Sequence, residues 1–300
     1  MRSSVKTMTA PRTALVTGAN QGLGRALAAG LAAGLSAGDR VLLTGRDAGR
    51  VGDAAAQIAA QLPAGSAQVQ PRVLDVRDPA AIAALAAELG TIDVLFSNAT
   101  ARMSPDADPA DEVDAVAETS NLATTHVLRA FAPRLNPGGR LLIVASALGT
   151  LDKLDPAVAP RFAAAADSGD LDAVDALVAD WRAAVHAGRA EQEGFGRWLN
   201  IPSKVAQVAA VRALARARRD EDLASGRLIA ALCPGLIDTD ASRPWFADMS
   251  EAQTPEQAAA WPVQLALAPE FDTKYYGELV QHGHVLPWET GVPVAHSATT

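Results

Sequence analysis

Short apolar runs alternate along this chain with longer stretches rich in alanine and leucine. That alternation is the mark of strands buried on both faces of a parallel sheet and joined by helices. Residues 14–17, 41–44, 73–75, 92–97 and 141–145 read as five successive strands, with 227–233 and 275–280 as the sixth and seventh. Between them the pattern predicts helices near 25–35, 79–89, 111–135, 202–220 and 254–267. Asp47 can cap the helix after the second strand, and Asp78-Pro79 supplies an N-cap followed by proline at the first helical position. Asn136-Pro137-Gly138-Gly139 carries turn chemistry that ends the long helix. The alternation breaks at 150–194, which reads as an insertion of two helices without a strand, and 282–300 reads as polar and loose. The expected fold is α/β: one doubly wound, Rossmann-type parallel sheet of seven strands, helices on both faces, and a helical insertion.

No linker-like segment divides the chain, so a single domain over 12–290 is expected, with a loose lead at 1–11 and a loose tail at 291–300. Apolar residues make up 49% and charged residues 20%, enough for one large core. A net charge of −8 gives no basic patch for nucleic acid and no polybasic segment for a lipid surface. The sole cysteine, Cys233, excludes an internal disulfide, and no signal-like or membrane-spanning run is read, so a cytoplasmic protein is expected. No metal site is expected. The partner is a small-molecule substrate.

The first chemistry lies in Thr17-Gly18-Ala19-Asn20-Gln21-Gly22-Leu23-Gly24, directly after the first strand. Glycines there permit a tight turn and let backbone N–H groups at the following helix face a pyrophosphate. Arg46 follows the second strand, where the adenosine ribose of a dinucleotide would sit. An acid at that point suits the 2′-hydroxyl of NAD, whereas an arginine suits the 2′-phosphate of NADP, so NADP(H) is the expected cofactor.

The G-x-x-x-G-x-G spacing resembles that of the short-chain dehydrogenase/reductase family, and further motifs appear in the family's order. Leu74-Asp75-Val76 resembles its adenine-contacting turn, and Ser97-Asn98-Ala99-Thr100 resembles its Asn-Asn-Ala-Gly segment with the outer positions changed. Asn121, Ser146 and Lys204 match its catalytic asparagine, serine and lysine. Cys233-Pro234-Gly235-Leu236-Ile237-Asp238-Thr239-Asp240 resembles the Pro-Gly segment that wraps the nicotinamide and phosphates. The resemblance implies cofactor contacts from Gly18, Asn20, Gln21, Gly22, Leu23, Gly24, Asp75, Val76, Asn98, Ala99, Lys204, Pro234, Gly235, Ile237 and Thr239. The insertion is similar to that of the monomeric carbonyl reductase group, which implies a monomer reducing ketones, aldehydes or quinones.

One position departs from the pattern. Four residues before Lys204 the family carries a tyrosine that protonates the carbonyl oxygen, and this chain has Asn200. An amide donates a hydrogen bond but releases no proton near neutral pH, and loss of general acid catalysis costs about 10²–10⁴ in rate. The only tyrosines, Tyr275 and Tyr276, are expected to serve packing near the sheet edge, and His186 to be a solvated helix residue. Trp245, Phe246 and Met249 form either an apolar lid or a small satellite cluster. Three functions stay open: an NADP(H)-dependent oxidoreductase with atypical acid chemistry, a cofactor-retaining catalyst of a non-redox step, and an inactive NADP(H)-binding protein.

Overall fold

In the computed structural model, which describes residues 10–289, eight strands form one sheet in the order β3-β2-β1-β4-β5-β6-β7-β8. They are β1 (Thr13–Val16), β2 (Arg40–Gly45), β3 (Gln68–Val73), β4 (Ile92–Ser97), β5 (Leu135–Val144), β6 (Leu228–Leu232), β7 (Leu279–Gln281) and β8 (His284–Leu286). The first seven run parallel and β8 turns back antiparallel on β7. The order reverses between β1 and β4, where an open α/β sheet leaves a crevice at its carboxyl edge. Residues 1–9 of the lead expected at 1–11, and the tail expected at 291–300, lie outside the described residues.

Buried aliphatic triplets make the central strands: Ala14, Leu15 and Val16 in β1, Val41, Leu42 and Leu43 in β2, and Leu141, Leu142 and Ile143 in β5 are fully buried. Helix α1 (Gly22–Gly34) lies against α9 (Pro255–Leu267) so closely that a Cβ on Gly34 would come within 2.4 Å of Leu267. Asp47 caps α2 (Ala48–Gln61) and Asp78 caps α3 (Pro79–Leu89), as their spacing predicts. The long helix is α4 (Pro109–Val116) and α5 (Ala123–Phe131) joined by a π turn at Ala117–Leu122. The insertion folds as α6 (Ala159–Asp167) and α7 (Leu171–His186), which pack on the 25-residue α8 (Asn200–Ala224).

Four expectations need correction. The third strand is not 73–75 but the polar Gln68–Val73, an edge strand that tolerates Pro71 and leaves little apolar signal. Leu74 and Val76 are buried turn residues, which is what made the later stretch look like a strand. Asn136–Gly139 does not end a helix: it bulges within β5, where pairing to β4 jumps from Leu135 to Arg140 and Gly138 takes a φ of +75°. The sheet has eight strands rather than seven, because His284–Leu286 pairs back on β7, while 275–280 starts as a 3₁₀ turn and its strand pairing begins only at Leu279. His282 and Gly283, at φ of +46° and +82°, then make a two-residue hairpin inside a segment expected to be loose.

A buried guanidinium anchors one end of the sheet. Arg140 is 1% exposed and forms no ion pair with a carboxylate among the described residues. It donates instead to the carbonyls of Gly138 (2.6 Å), Gly226 (2.9 Å) and Ala268 (2.9 Å), the last at the carboxyl end of α9, and lies 4.8 Å over the ring of Phe271. A helix carboxyl terminus favours a cation, and three satisfied carbonyls offset the desolvation. Arg140→Met is expected to destabilise the fold by about 3 kcal/mol, since it leaves buried carbonyls without donors. Chemical denaturation checks this, and an unchanged midpoint would count against the anchor.

Candidate active site

The site is built at the carboxyl edge of the sheet, where β1 and β4 diverge. Thr17, fully buried, accepts the backbone N–H groups of Asn98 (2.9 Å) and Ala99 (3.1 Å) on its hydroxyl. Nδ2 of Asn98 in turn donates to the carbonyls of Thr17 and Gly18, each at 3.1 Å. This clasp leaves no room for side chains: a Cβ on Gly24 would lie 2.4 Å from the Gly18 oxygen, and one on Gly18 would lie 2.8 Å from Ala99 Cα. Gly18 and Gly22 also take positive φ, +62° and +53°.

The turn delivers α1 with its amino end bare. Gln21 stands at the N-cap without a side-chain cap bond, and the first turn holds no acid. By contrast α2, α3, α4 and α7 are capped by aspartates and α9 by Thr254. Uncapped N–H groups and the positive end of the helix dipole suit an anion. Ala19 N–H donates to Thr44, and a Cβ on Gly45 would lie 3.1 Å from the Asn20 amide oxygen, so Asn20 is tucked against the end of β2. Leu23 is buried beneath the turn.

Beside it stand exposed arginines. Arg46 forms no ion pair among the described residues, and Arg50, which the sequence reading overlooked, donates to the Gln21 side chain. Asp75 is gripped by Arg77 at 2.6 Å, which holds its carboxyl below the usual carboxylate range, and it also feels the charge of Arg46. Val76 is buried next to it.

The Pro-Gly segment folds back over this edge. Thr239 comes within 3.6 Å of where a Gly22 Cβ would stand. Gln253, which carries no sequence signal, clamps the segment: its N–H donates to Leu236, its Nε2 to Pro234 at 3.2 Å, and its carbonyl accepts from Asp238. Gly235 sits at φ +85°, a side chain there would also meet Gln253 at 2.8 Å, and Ile237 bridges to Gln253.

The Ala147–Gly149 turn, which follows Ser146, packs on α8, the helix whose first turns carry Asn200 and Lys204. Ser146 lies two residues past the end of β5, and its Oγ accepts the N–H of Leu148 (3.2 Å), which leaves the hydroxyl proton uncommitted among the described residues. Asn200 opens α8, half-buried, with its amide unbonded among the described residues. Lys204, one helical turn on, donates to Gln207 Oε1 at 2.8 Å. Burial pulls its ammonium down to about 8. The Cys233 thiol, pushed up by burial, takes N–H bonds from Ala147 and Gly235 and feels the Lys204 charge, so the Ser146 turn, β6 and Lys204 converge on one point.

Asn121 lies on the π turn, but its side chain faces α8. Nδ2 donates to the Ser203 carbonyl (2.8 Å) and Oδ1 accepts the Ser203 hydroxyl (3.0 Å). Ser203 and Gln207 were missed in the sequence, although Gln207 stands at i+3 from Lys204, a helical-neighbour spacing that was there to read.

Trp198 and Trp245 stack with centroids 5.9 Å apart at a groove of about 200 Å³ lined also by Met103, Pro105, Glu112 and Leu199. Of the three expected lid residues only Trp245 faces it; Phe246 and Met249 do not line it. The alternative proton sources are elsewhere. Tyr276 is buried and donates to the fully buried Asp222 at 2.8 Å, and burial together with that carboxylate pushes its phenol far up. Tyr275 donates to Gly283, and His186 pairs with Asp114 on the outer face of α7.

A doubly wound sheet with a glycine turn at its crevice defines a nucleotide-binding α/β protein, and the chain belongs to the short chain dehydrogenase family, whose model matches residues 12–158. It is 34% identical over 289 residues to carbonyl reductase (NADPH) 3 of Rattus norvegicus, spanning 92% of this chain and 98% of that one. With carbonyl reductase (NADPH) 1 of Sus scrofa it shares 31% identity over 292 residues, 94% of this chain and 95% of the relative. Among solved structures, menthone neomenthol reductase from Mentha piperita superposes with a TM-score of 0.73 at 22% identity, covering 92% of this chain and all of the other. The NADPH-bound carbonyl reductase from chicken fatty liver gives 0.65 at 21% identity, covering 93% of this chain and 100% of that one. These last two likenesses concern the fold.

Proposed function

We propose that the chain is an NADPH-dependent oxidoreductase that reduces a small carbonyl, quinone or imine-like substrate. One observation carries the reading: the uncapped amino end of α1 opens on the same sheet edge as Ser146, Asn200 and Lys204. The names of the carbonyl reductase relatives support the same cofactor and chemistry.

The residues fit that cofactor. The Gly18–Gly24 turn would receive the pyrophosphate, because side chains there would fill the space. Asp75, Val76, Asn98 and Ala99 would border the adenine side, Arg46 the 2′-phosphate, and Pro234, Gly235, Ile237 and Thr239 the nicotinamide side. When bound, the reduced cofactor supplies a hydride. The uncommitted Ser146 hydroxyl is suited to hold a substrate oxygen, and Lys204 to hold a ribose hydroxyl with one of its N–H groups. Asn200 takes the place of the family's acidic tyrosine and orients the substrate without releasing a proton. Asn121 supports α8 through Ser203 rather than reaching the substrate with its amide. The stacked Trp198 and Trp245 close an apolar groove over the substrate.

The same change at Asn200 supports a second reading, a catalyst that keeps the cofactor pocket for a non-redox step such as dehydration or isomerisation. Oxidation of NADPH on adding activated ketones and quinones separates the two.

A monomer is expected, because α6 and α7 cover α8, and α7 also covers α4. Light scattering at increasing concentration tests this, and a concentration-independent dimer would refute it.

NADPH is expected to bind at least about tenfold more tightly than NADH, which is about 1.4 kcal/mol. Fluorescence titration measures it, and the preference should shrink in Arg46→Ala. Equal affinities in the unaltered protein would remove the case for the 2′-phosphate.

Asn200→Tyr is expected to raise NADPH-driven reduction of an activated ketone by about tenfold or more, given the worth of a positioned acid. Steady-state rates check this. No gain in a folded, NADPH-binding variant would favour the non-redox reading.

A further inference from the structure

We propose that Lys204 is the proton donor of this site and that Gln207 is the residue that positions it, an inference resting on the reductase reading above. The observations narrow the choice from both sides. Tyr276 is committed to Asp222, Tyr275 to the Gly283 carbonyl, and His186 to Asp114 on the far face of α7. The Asn121 amide is held by Ser203, and the Cys233 thiol is kept neutral by burial. Lys204 is the cation that remains at the convergence of the Ser146 turn, the end of β6 and the first turns of α8.

Its geometry is fixed by an unusual holder. Gln207 is 2% exposed, and Nε2 donates to the Ser120 carbonyl at 3.0 Å and to Thr124 Oγ1 at 3.2 Å. With both amide hydrogens used on the π turn and α5, the oxygen must face Lys204, and it accepts from Nζ at 2.8 Å. A neutral acceptor orients the ammonium without neutralising it and leaves two N–H groups to point elsewhere. A carboxylate in the same place would lock the proton on by raising the pKa. Here burial lowers it to about 8, near the working pH where an acid transfers its proton most effectively.

The surroundings keep that balance. Cys233, from β6, is the titratable group whose charge is felt at Lys204. The Ala147–Gly149 turn packed on α8 carries none, and the faces turned to Gln207 from the π turn and α5 are Ser120 and Thr124. With the reduced cofactor bound to supply hydride to the carbonyl carbon, Nζ would give its proton to the carbonyl oxygen. The C=O bond becomes CH–OH, and the neutral amine regains a proton from water.

The chain has four lysines, Lys6, Lys153, Lys204 and Lys274, so NMR of lysine labelled with ¹³C at Cε resolves each, with Lys204→Arg giving the assignment. In the unaltered protein the Lys204 signal should titrate near 8. Gln207→Met removes the acceptor while burial persists, so the signal should move further down, whereas Gln207→Glu should move it up. With NADPH and an activated ketone, kcat should fall as pH rises through the Lys204 titration, and this alkaline limb should shift with the NMR value in each variant. In Gln207→Met, kcat at neutral pH should drop about tenfold with NADPH affinity little changed. Titration of Lys204 alongside the other lysines, or an alkaline limb that ignores both variants, would overturn the proposal. If no carbonyl is reduced at all, the reductase reading fails and the donor role with it, while the NMR titration still decides whether Gln207 holds Lys204.

Discussion

The site depends on the clasp that joins the ends of β1 and β4. Thr17 and Asn98 exchange hydrogen bonds across the point where the strand order reverses, and the glycines beside them close the gap to backbone contact. Two parallel strands diverging at a switch point would otherwise leave backbone groups unpaired in a buried place, at a cost of about 1–3 kcal/mol each. Satisfying them through one hydroxyl and one amide holds the crevice to a fixed width. The amino end of α1 is aimed by that width, so the geometry of the cradle follows from a few bonds beneath it.

The second half of the site is governed by how α8 is seated. Its alanine-rich face (Ala206, Ala209, Ala210 and Ala213) lets it lie close to its neighbours. The π turn at Ala117–Leu122 brings the Ser120 carbonyl to Gln207 and Asn121 to Ser203. Extra residues in a helical turn shift backbone groups out of the regular ladder, which is why such turns recur at functional positions. The same helix handles charge in two ways. At its far end Asp222 is buried with Arg218, 2.9 Å away, Arg227 and the Tyr276 hydroxyl, a paired arrangement that fixes structure. Near its start Lys204, half-buried, donates to a neutral amide rather than to a carboxylate.

Much of the chain was legible because local rules and burial agree. Continuous apolar runs located the central strands; Asp47 and Asp78 marked their helices because capping is a short-range interaction; the insertion between Thr150 and Gly194 showed as a lapse in alternation. The glycine turn was readable because only glycine tolerates its backbone. Legibility failed where an element is defined by its partner. The edge strand Gln68–Val73 has few apolar residues because one side pairs with nothing, and the last hairpin is held by β7 rather than by its own composition.

The sequence by itself determined the central strands, the glycine turn and which side chains are available, since those follow from periodicity, capping and steric limits acting over a few residues. Only the tertiary structure decided their partners. It took Tyr276 away to Asp222, turned Asn121 onto Ser203, seated Gln253 behind the Pro-Gly segment, and left Lys204 desolvated beside Gln207. Hydrogen bonding and desolvation depend on which groups meet across many residues of chain, and a linear pattern carries no record of those meetings.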